Sequence, residues 1–103
     1  MGAELEVRNA VRIGGHGAVV IGYLRRGAAR VGQLTVPLLL GDATERRLEV
    51  IAVQRLNSID PGGQAVGLEF RHPPSLADLR SALPAGTLLV LEDAGSPDSL
   101  GGV

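Results

Sequence analysis

The sequence contains no cysteine, no lysine and no tryptophan, and its 103 residues include one phenylalanine and one tyrosine. Without cysteine the chain can form no disulfide, no thiolate nucleophile and no cysteine-ligated metal site. No segment reaches the roughly 20 consecutive apolar residues of a membrane-spanning helix. Residues 1–6 are acidic and lack the apolar stretch of a secretory leader. These features predict a cytoplasmic protein without a membrane partner.

The charge and the apolar composition narrow the class of protein further. All ten basic residues are arginine, and eleven acidic residues bring the formal net charge to −1. A chain this close to neutrality lacks the strongly basic footprint of a general polyanion binder. The apolar fraction is 45% and consists mainly of valine, leucine, isoleucine and alanine. Branched aliphatic residues are typical of strands, and the length predicts one domain with a modest core.

Turn signals rich in glycine and proline divide the chain into short strands. Strands are predicted at residues 4–13, 18–24, 34–40, 46–56, 64–71 and 87–91. Pro37 predicts an edge position or a break in the third strand, and Gly22 predicts a close backbone approach in the second. The centre of the fourth strand is apolar on both faces, which predicts burial on two sides or contact with a partner.

One helix is predicted, at residues 75–83. Ser75 is placed to cap it, and Leu76, Leu79 and Leu83 share one face. Six strands with a short helix before the last predict an all-β fold, a small six-stranded and mostly antiparallel β-barrel. The barrel is expected to span residues 1–92. The small, polar residues of 93–103 predict a disordered C-terminal tail.

The order of the turns resembles a known family. The matching motifs are Gly15-His16-Gly17, Val19-Val20, Gly22, Arg26-Gly27, Val31-Gly32 and Gly62-Gly63-Gln64-Ala65-Val66-Gly67. At these spacings the chain resembles the second domain of elongation factor Tu and related translational GTPases, over roughly residues 6–91. The resemblance implies a stand-alone translation-protein β-barrel that docks on neighbouring surfaces. His16 and Ile59 replace charged residues of the family, and the region of Ile59 helps to hold tRNA there.

Several chemistries are excluded by the sequence. A GTPase phosphate loop requires a lysine, and the chain has none. The motif Gly15-His16-Gly17 is followed by strand-forming residues, whereas a dinucleotide site requires a helix there. Two isolated histidines without spaced carboxylates make a poor metal site, and no serine has the context of a hydrolase nucleophile. We therefore expect no cofactor, no nucleotide, no metal and no enzymatic activity.

The remaining candidate site residues are polar groups in turns and at strand ends. They are His16, Arg25, Arg26, Arg30 and Arg71. One interpretation is a solvated rim balanced by nearby acidic residues. The functional hypothesis is a non-catalytic binding module that docks on another protein or self-associates. The alternative is a module that binds the backbone of tRNA or ribosomal RNA through an arginine-rich turn.

Overall fold

The computed structural model describes residues 2–15, 17–41, 44–56 and 64–93. Within them the chain forms eight strands and one helix. The strands are β1 Ala3–Ile13, β2 Gly17–Arg26, β3 Leu34–Thr35, β4 Leu38–Leu39, β5 Glu45–Arg46, β6 Val50–Leu56, β7 Gln64–Phe70 and β8 Leu88–Glu92, and helix α1 is Leu76–Ala82. No helix in the described part is long and apolar enough to cross a membrane.

Six strands form one curled antiparallel sheet in the order β3-β8-β1-β2-β7-β6. Its longest pairing is the β1–β2 hairpin, whose register runs from Glu4 opposite Arg26 to Ile13 opposite Gly17. β4 and β5 pair with each other as a separate two-stranded sheet. The predicted all-β class is confirmed, with a mostly antiparallel sheet of six strands and one short helix before the last strand.

Backbone hydrogen bonds between residues 32–35 and 48–50 join the two edges of the curled sheet. The amide of Gly32 donates to the carbonyl of Val50 over 2.8 Å, and the amide of Val50 donates to the carbonyl of Gln33 over 2.8 Å. The amide of Thr35 donates to the carbonyl of Leu48 over 2.9 Å. In the part of the chain that the structure describes, this pairing stops at Val50. The wall of the barrel is therefore closed at one end.

The core is built from aliphatic side chains on the inner faces of the strands. Strand alternation turns Leu5 and Val7 of β1 inward, together with Val20 of β2 and Leu68 of β7, and all four are fully buried. The largest buried side chains are Phe70, Leu5, Leu48, Leu68, Leu79, Leu89 and Leu91. Burying each such side chain stabilises the fold by roughly 1.5–3 kcal/mol.

Gly22 lies at a close approach of β1 and β2. A Cβ at this position would collide with the carbonyl oxygen of Glu6 and would lie 2.9 Å from Cγ of Leu5. The close approach predicted from a glycine inside a strand is therefore confirmed.

Helix α1 packs its apolar face against the core. The Ser75 hydroxyl accepts a hydrogen bond from the amide of Asp78 over 3.1 Å and so caps the first turn. Leu79 and Leu83 are buried, and Leu76 packs against the core. The predicted helix and its cap are confirmed.

Two of the predicted strands are divided. The strand at 34–40 breaks at Pro37 into β3 and β4, because proline has no amide hydrogen for a ladder. The strand at 46–56 divides into β5 and β6, since residues 48–50 turn their backbone toward β3. Arg25 and Arg26 continue β2 instead of opening a turn. The predicted loop at 57–63 and tail residues 94–103 lie outside the described residues.

Candidate functional site

The four candidate site residues that the structure describes do not form one cluster. His16 lies outside the described residues. Arg25 and Arg26 end β2, beside the start of β7, because Leu24 pairs with Gln64. Arg71 follows the other end of β7. At about 3.3 Å per residue, this strand separates Arg71 from the two β2 arginines by roughly 20 Å.

Arg25 is engaged by its own sheet. Its Nε donates to Oε1 of Glu6 over 2.8 Å, and its Nη2 also contacts that oxygen. The guanidinium carbon lies 5.7 Å from the ring centroid of Tyr23, within cation–π range. Arg8 approaches the same ring from β1 at 5.7 Å and pairs with Glu6 at 3.8 Å. Part of the positive charge of Arg25 is thus balanced locally.

Two register shifts in the β1–β2 hairpin produce this cluster. Leu5 pairs with Leu24 while Glu4 pairs with Arg26, so Arg25 is an extra residue on β2. Val7 pairs with Gly22 while Asn9 pairs with Ile21, so Arg8 is an extra residue on β1. Extra residues of this kind bend a strand and redirect its side chains.

Other arginines also have partners within the fold. Arg71 donates to Oε1 of Glu49 over 3.0 Å. Arg47 donates to the carbonyl of Thr35 over 2.9 Å and also pairs with Glu92. These contacts leave less positive charge for an RNA backbone than the sequence suggests. RNA binding stays a prediction, and these pairs weigh against it.

Arg26 and Arg30 lie at a charge-balanced end of the barrel. Arg26 borders a cavity of about 370 Å³ that Glu4 and Glu92 also line. Arg30 borders a second cavity, of about 420 Å³, together with Asp93. A side-chain hydrogen bond from Gln33 lowers the pKa of the Asp93 carboxyl, so this acid stays ionised beside Arg30.

Gln33 and Thr35 are buried polar residues that hold the closed end of the barrel. The Gln33 side chain accepts from the amide of Arg30 over 2.8 Å and donates to Ala28 and to Asp93. The Thr35 hydroxyl accepts from the amide of Leu48 over 2.9 Å. Because buried polar groups are costly without partners, the Gln33 bonds hold residues 28–33 and Asp93 together, and the Thr35 bond holds β3 against Leu48.

Beyond Val50 the barrel wall is open. A cavity of about 290 Å³ lies there, and we call this opening the seam. It is lined by Leu24, Gly27, Ala28, Ala29, Val53, Arg55, Gln64 and Val66. Residues 27–29 are small, so their side chains do not fill the space opposite β6. Val53 and Leu24 are half-buried and pack on the core, so the seam reaches the barrel interior.

Ile51 marks the beginning of the open region. Val50 pairs with Phe70 while Ala52 pairs with Glu69, so Ile51 is an extra residue on β6 and is 40% exposed. The sequence indicated a two-sided apolar centre in this strand, but it did not identify Val53, Arg55 and Ala29 as neighbours. The one sequence feature that could have pointed to this surface is Arg55, the single arginine within the apolar strand β6.

The described residues offer little for catalysis. They contain no group of three or more histidine, aspartate or glutamate side chains placed to hold a metal ion. The seam is lined by aliphatic residues, glycine, one amide and one guanidinium. That set can bind apolar and anionic groups, and it supplies neither a nucleophile nor an acid–base pair.

Comparison with known proteins gives one partial relative. No family model matches the chain. Among curated proteins, the chain is similar to Secreted RxLR effector protein 117 of Plasmopara viticola, with 41% identity over 68 residues. The match covers 66% of this chain and 15% of that relative. The chain thus corresponds to a small part of the relative's length.

This relative corrects the predicted location. The description of the chain as a cytoplasmic translation protein is wrong, because the matched relative is a secreted effector. The prediction relied on the acidic residues 1–6 and on the resemblance of the turns. A targeting signal is a separate local segment, so neither feature reports where a protein is sent. The β-barrel part of the description is supported by the fold.

Proposed function

We propose that the chain is a non-catalytic protein-binding module and that the seam is the centre of its binding surface. The observation that carries the proposal is the opening of about 290 Å³ between β6 and residues 27–29. The opening gives a partner access to half-buried aliphatic side chains of the barrel interior. Concave apolar sites with a few polar groups are common binding sites.

The exposed side of β6 extends this surface beyond the cavity. Ile51 is 40% exposed, and Ala52 and Leu56 of the same strand are half-buried. Covering such side chains with a partner removes apolar area from water and favours association. The two-sided apolar character of this strand thus supports binding of a protein. It also keeps self-association among the outcomes to be tested.

We propose a non-catalytic role because the residues that line the seam include no nucleophile and no acid–base pair. Arg55 is the one charged side chain among the residues lining it, and its guanidinium offers hydrogen-bond donors but no acceptor. The secreted relative supports a further proposal, that this module works in a secreted protein. The resemblance to a translation-factor domain stays a prediction about the fold and about docking on neighbouring surfaces.

A pair of photocrosslinking variants tests this function. Ile51 and Leu88 are both exposed aliphatic strand residues, at 40% and 50% exposure. Ile51 lies on β6, the strand that borders the seam, whereas Leu88 lies on β8, which contributes no residue to the seam. We place p-benzoylphenylalanine at position 51 or at position 88 and irradiate the protein in extracts and culture fluid of its source organism. Mass spectrometry then identifies the adducts.

We expect protein adducts from position 51 that are absent at position 88. They should disappear when Ala29→Arg fills the seam, provided that circular dichroism shows a folded variant. The same adducts from both positions, or no protein adduct from position 51, would overturn the proposal. An adduct between two copies of the chain would assign the surface to self-association, and crosslinked RNA would favour the alternative function.

A further inference from the structure

We infer that the seam takes an extended peptide segment of a partner protein, which pairs along β6 as an additional strand. One apolar side chain of the segment enters the cavity, and a carboxylate two residues away contacts Arg55. The inference rests on the proposed function, because it names the kind of partner that the same surface takes.

The backbone of β6 provides the first step. Within the described residues, β6 pairs with β7 along its length, and on its other side only Val50 makes backbone hydrogen bonds, to Gly32 and Gln33 just before β3. In an antiparallel ladder, the amides and carbonyls of alternate residues point away from the paired strand. The stretch from Ile51 to Leu56 therefore presents a free strand edge. Such an edge is the template for strand addition, in which backbone hydrogen bonds hold an extended peptide.

The cavity provides the second step. Val53 pairs with Leu68 and Arg55 pairs with Val66, and both partners are buried core residues. Val53 and Arg55 thus share the inner face of β6, with one residue between them. On an added strand, the residue opposite Val53 turns toward Ala29 and the open cavity. An apolar side chain there fills the space that the small residues 27–29 leave.

The charge of Arg55 provides the third step. Its side chain lines the seam, it is exposed, and it has no acidic partner among the described residues. None of the residues that line the cavity carries a carboxylate. The residue of the added strand that faces Arg55 is two positions from the one that faces Val53. The preferred segment therefore has an apolar residue and an acidic residue separated by one position.

This charge requirement favours a different protein over a second copy of the chain. Strand β6 reads Val-Ile-Ala-Val-Gln-Arg-Leu and contains no acidic residue. A dimer joined through two β6 edges would leave both Arg55 guanidinium groups without a carboxylate from the opposing strand. A partner segment with alternating apolar and acidic residues supplies one.

A designed peptide tests the inference directly. The probe is acetyl-Thr-Glu-Thr-Val-Thr-Glu-Thr-amide, whose symmetry places Val beside Glu on one face in either strand direction. Its control replaces both Glu residues with Gln. Each peptide is titrated into the ¹⁵N-labelled full chain, and amide shifts and amide hydrogen exchange are recorded. The same titrations are repeated with R55Q.

We expect shifts and slowed exchange within residues 51–56 and 27–29. The Glu peptide should bind about two- to fivefold more tightly than the Gln peptide, the range of an exposed ion pair. With R55Q the two peptides should bind equally. Equal binding to the unmodified chain, shifts confined to other strands, or no binding at millimolar peptide would overturn the inference.

The two proposals can fail separately. Adducts at position 51 combined with no peptide binding would leave the binding function in place and reject the added strand. Peptide binding along β6 without any protein adduct at position 51 would support the ability of β6 to pair with an added strand. It would reject the proposal that the chain binds a natural protein partner through this surface.

Discussion

The two ends of the barrel wall beside β6 differ in how they are sealed. At the closed end, residues 32–35 make backbone hydrogen bonds to residues 48–50, and Thr35 and Leu48 are fully buried there. At the open end, residues 27–29 face Val53 and Arg55 across a cavity of about 290 Å³. The same two stretches of chain are joined at one end and separated at the other.

Side-chain size and polarity account for the difference. The closed end pairs bulky aliphatic groups with two buried polar side chains whose hydrogen bonds are made within the fold. The open end places glycine and two alanines opposite β6, and these residues bring too little volume to cover it. We therefore expect more of the stability to come from the closed end, while the open end gives access to apolar side chains.

The largest predicted effect on the free energy of unfolding comes from comparing two leucines, one at each end of this wall. Leu48 is 1% exposed at the closed end, whereas Leu56 is half-buried at the open end. Leu48→Ala should lower the free energy of unfolding by about 3 kcal/mol, because it leaves a cavity in the core. Leu56→Ala should lower it by about 1 kcal/mol or less, since less apolar area is lost. Urea denaturation of both variants measures the difference, and equal losses would contradict the comparison.

A smaller effect is expected from the buried hydroxyl that seals the closed end. Thr35→Val keeps the side-chain shape but removes the acceptor for the amide of Leu48. A buried amide without a partner costs about 1–3 kcal/mol, so the variant should unfold at lower urea. Thr87→Val is the matched control, because Thr87 is half-buried and uses its backbone atoms in its described hydrogen bonds. If the two variants were equally stable, the hydrogen bond of the Thr35 hydroxyl would not stabilise the closed end.

Much of this fold could be predicted from local patterns. The period-two alternation predicted the strands of the main sheet, Pro37 predicted the break between β3 and β4, and Ser75 predicted the helix cap. Each of these signals acts within a few residues. The division at residues 47–49 was missed because its cause is not local. Those residues turn toward β3, which is about 15 positions earlier in the sequence.

Less of the candidate site could be predicted from the sequence, because its contacts are also between distant residues. Whether an arginine is available depends on partners from distant strands. Arg25 and Glu6 are 19 positions apart, and Arg71 and Glu49 are 22 apart. The seam depends on Ala29 and Val53 facing each other across the wall. No pattern within either segment encodes that contact.

The smallest effect on stability, and the sharpest test of the open end, is expected from Arg55→Val. Arg55 is exposed and has no described ion pair, so its replacement should change the free energy of unfolding by no more than about 0.5 kcal/mol. A charge on the inner face of an edge strand also discourages pairing with another edge. Removing it makes β6 apolar apart from Gln54.

The variant should therefore remain as stable as the original chain but associate through β6. Sedimentation velocity over a range of concentrations should show dimers for Arg55→Val that the original chain lacks at equal concentration. Arg12→Val is the matched control, because Arg12 is likewise an exposed arginine on a strand but lies on β1, away from β6 and the seam. A monomeric Arg55→Val variant, or equal dimerisation of both variants, would mean that the open end offers no usable strand edge. The two ends of the wall would then differ in packing alone.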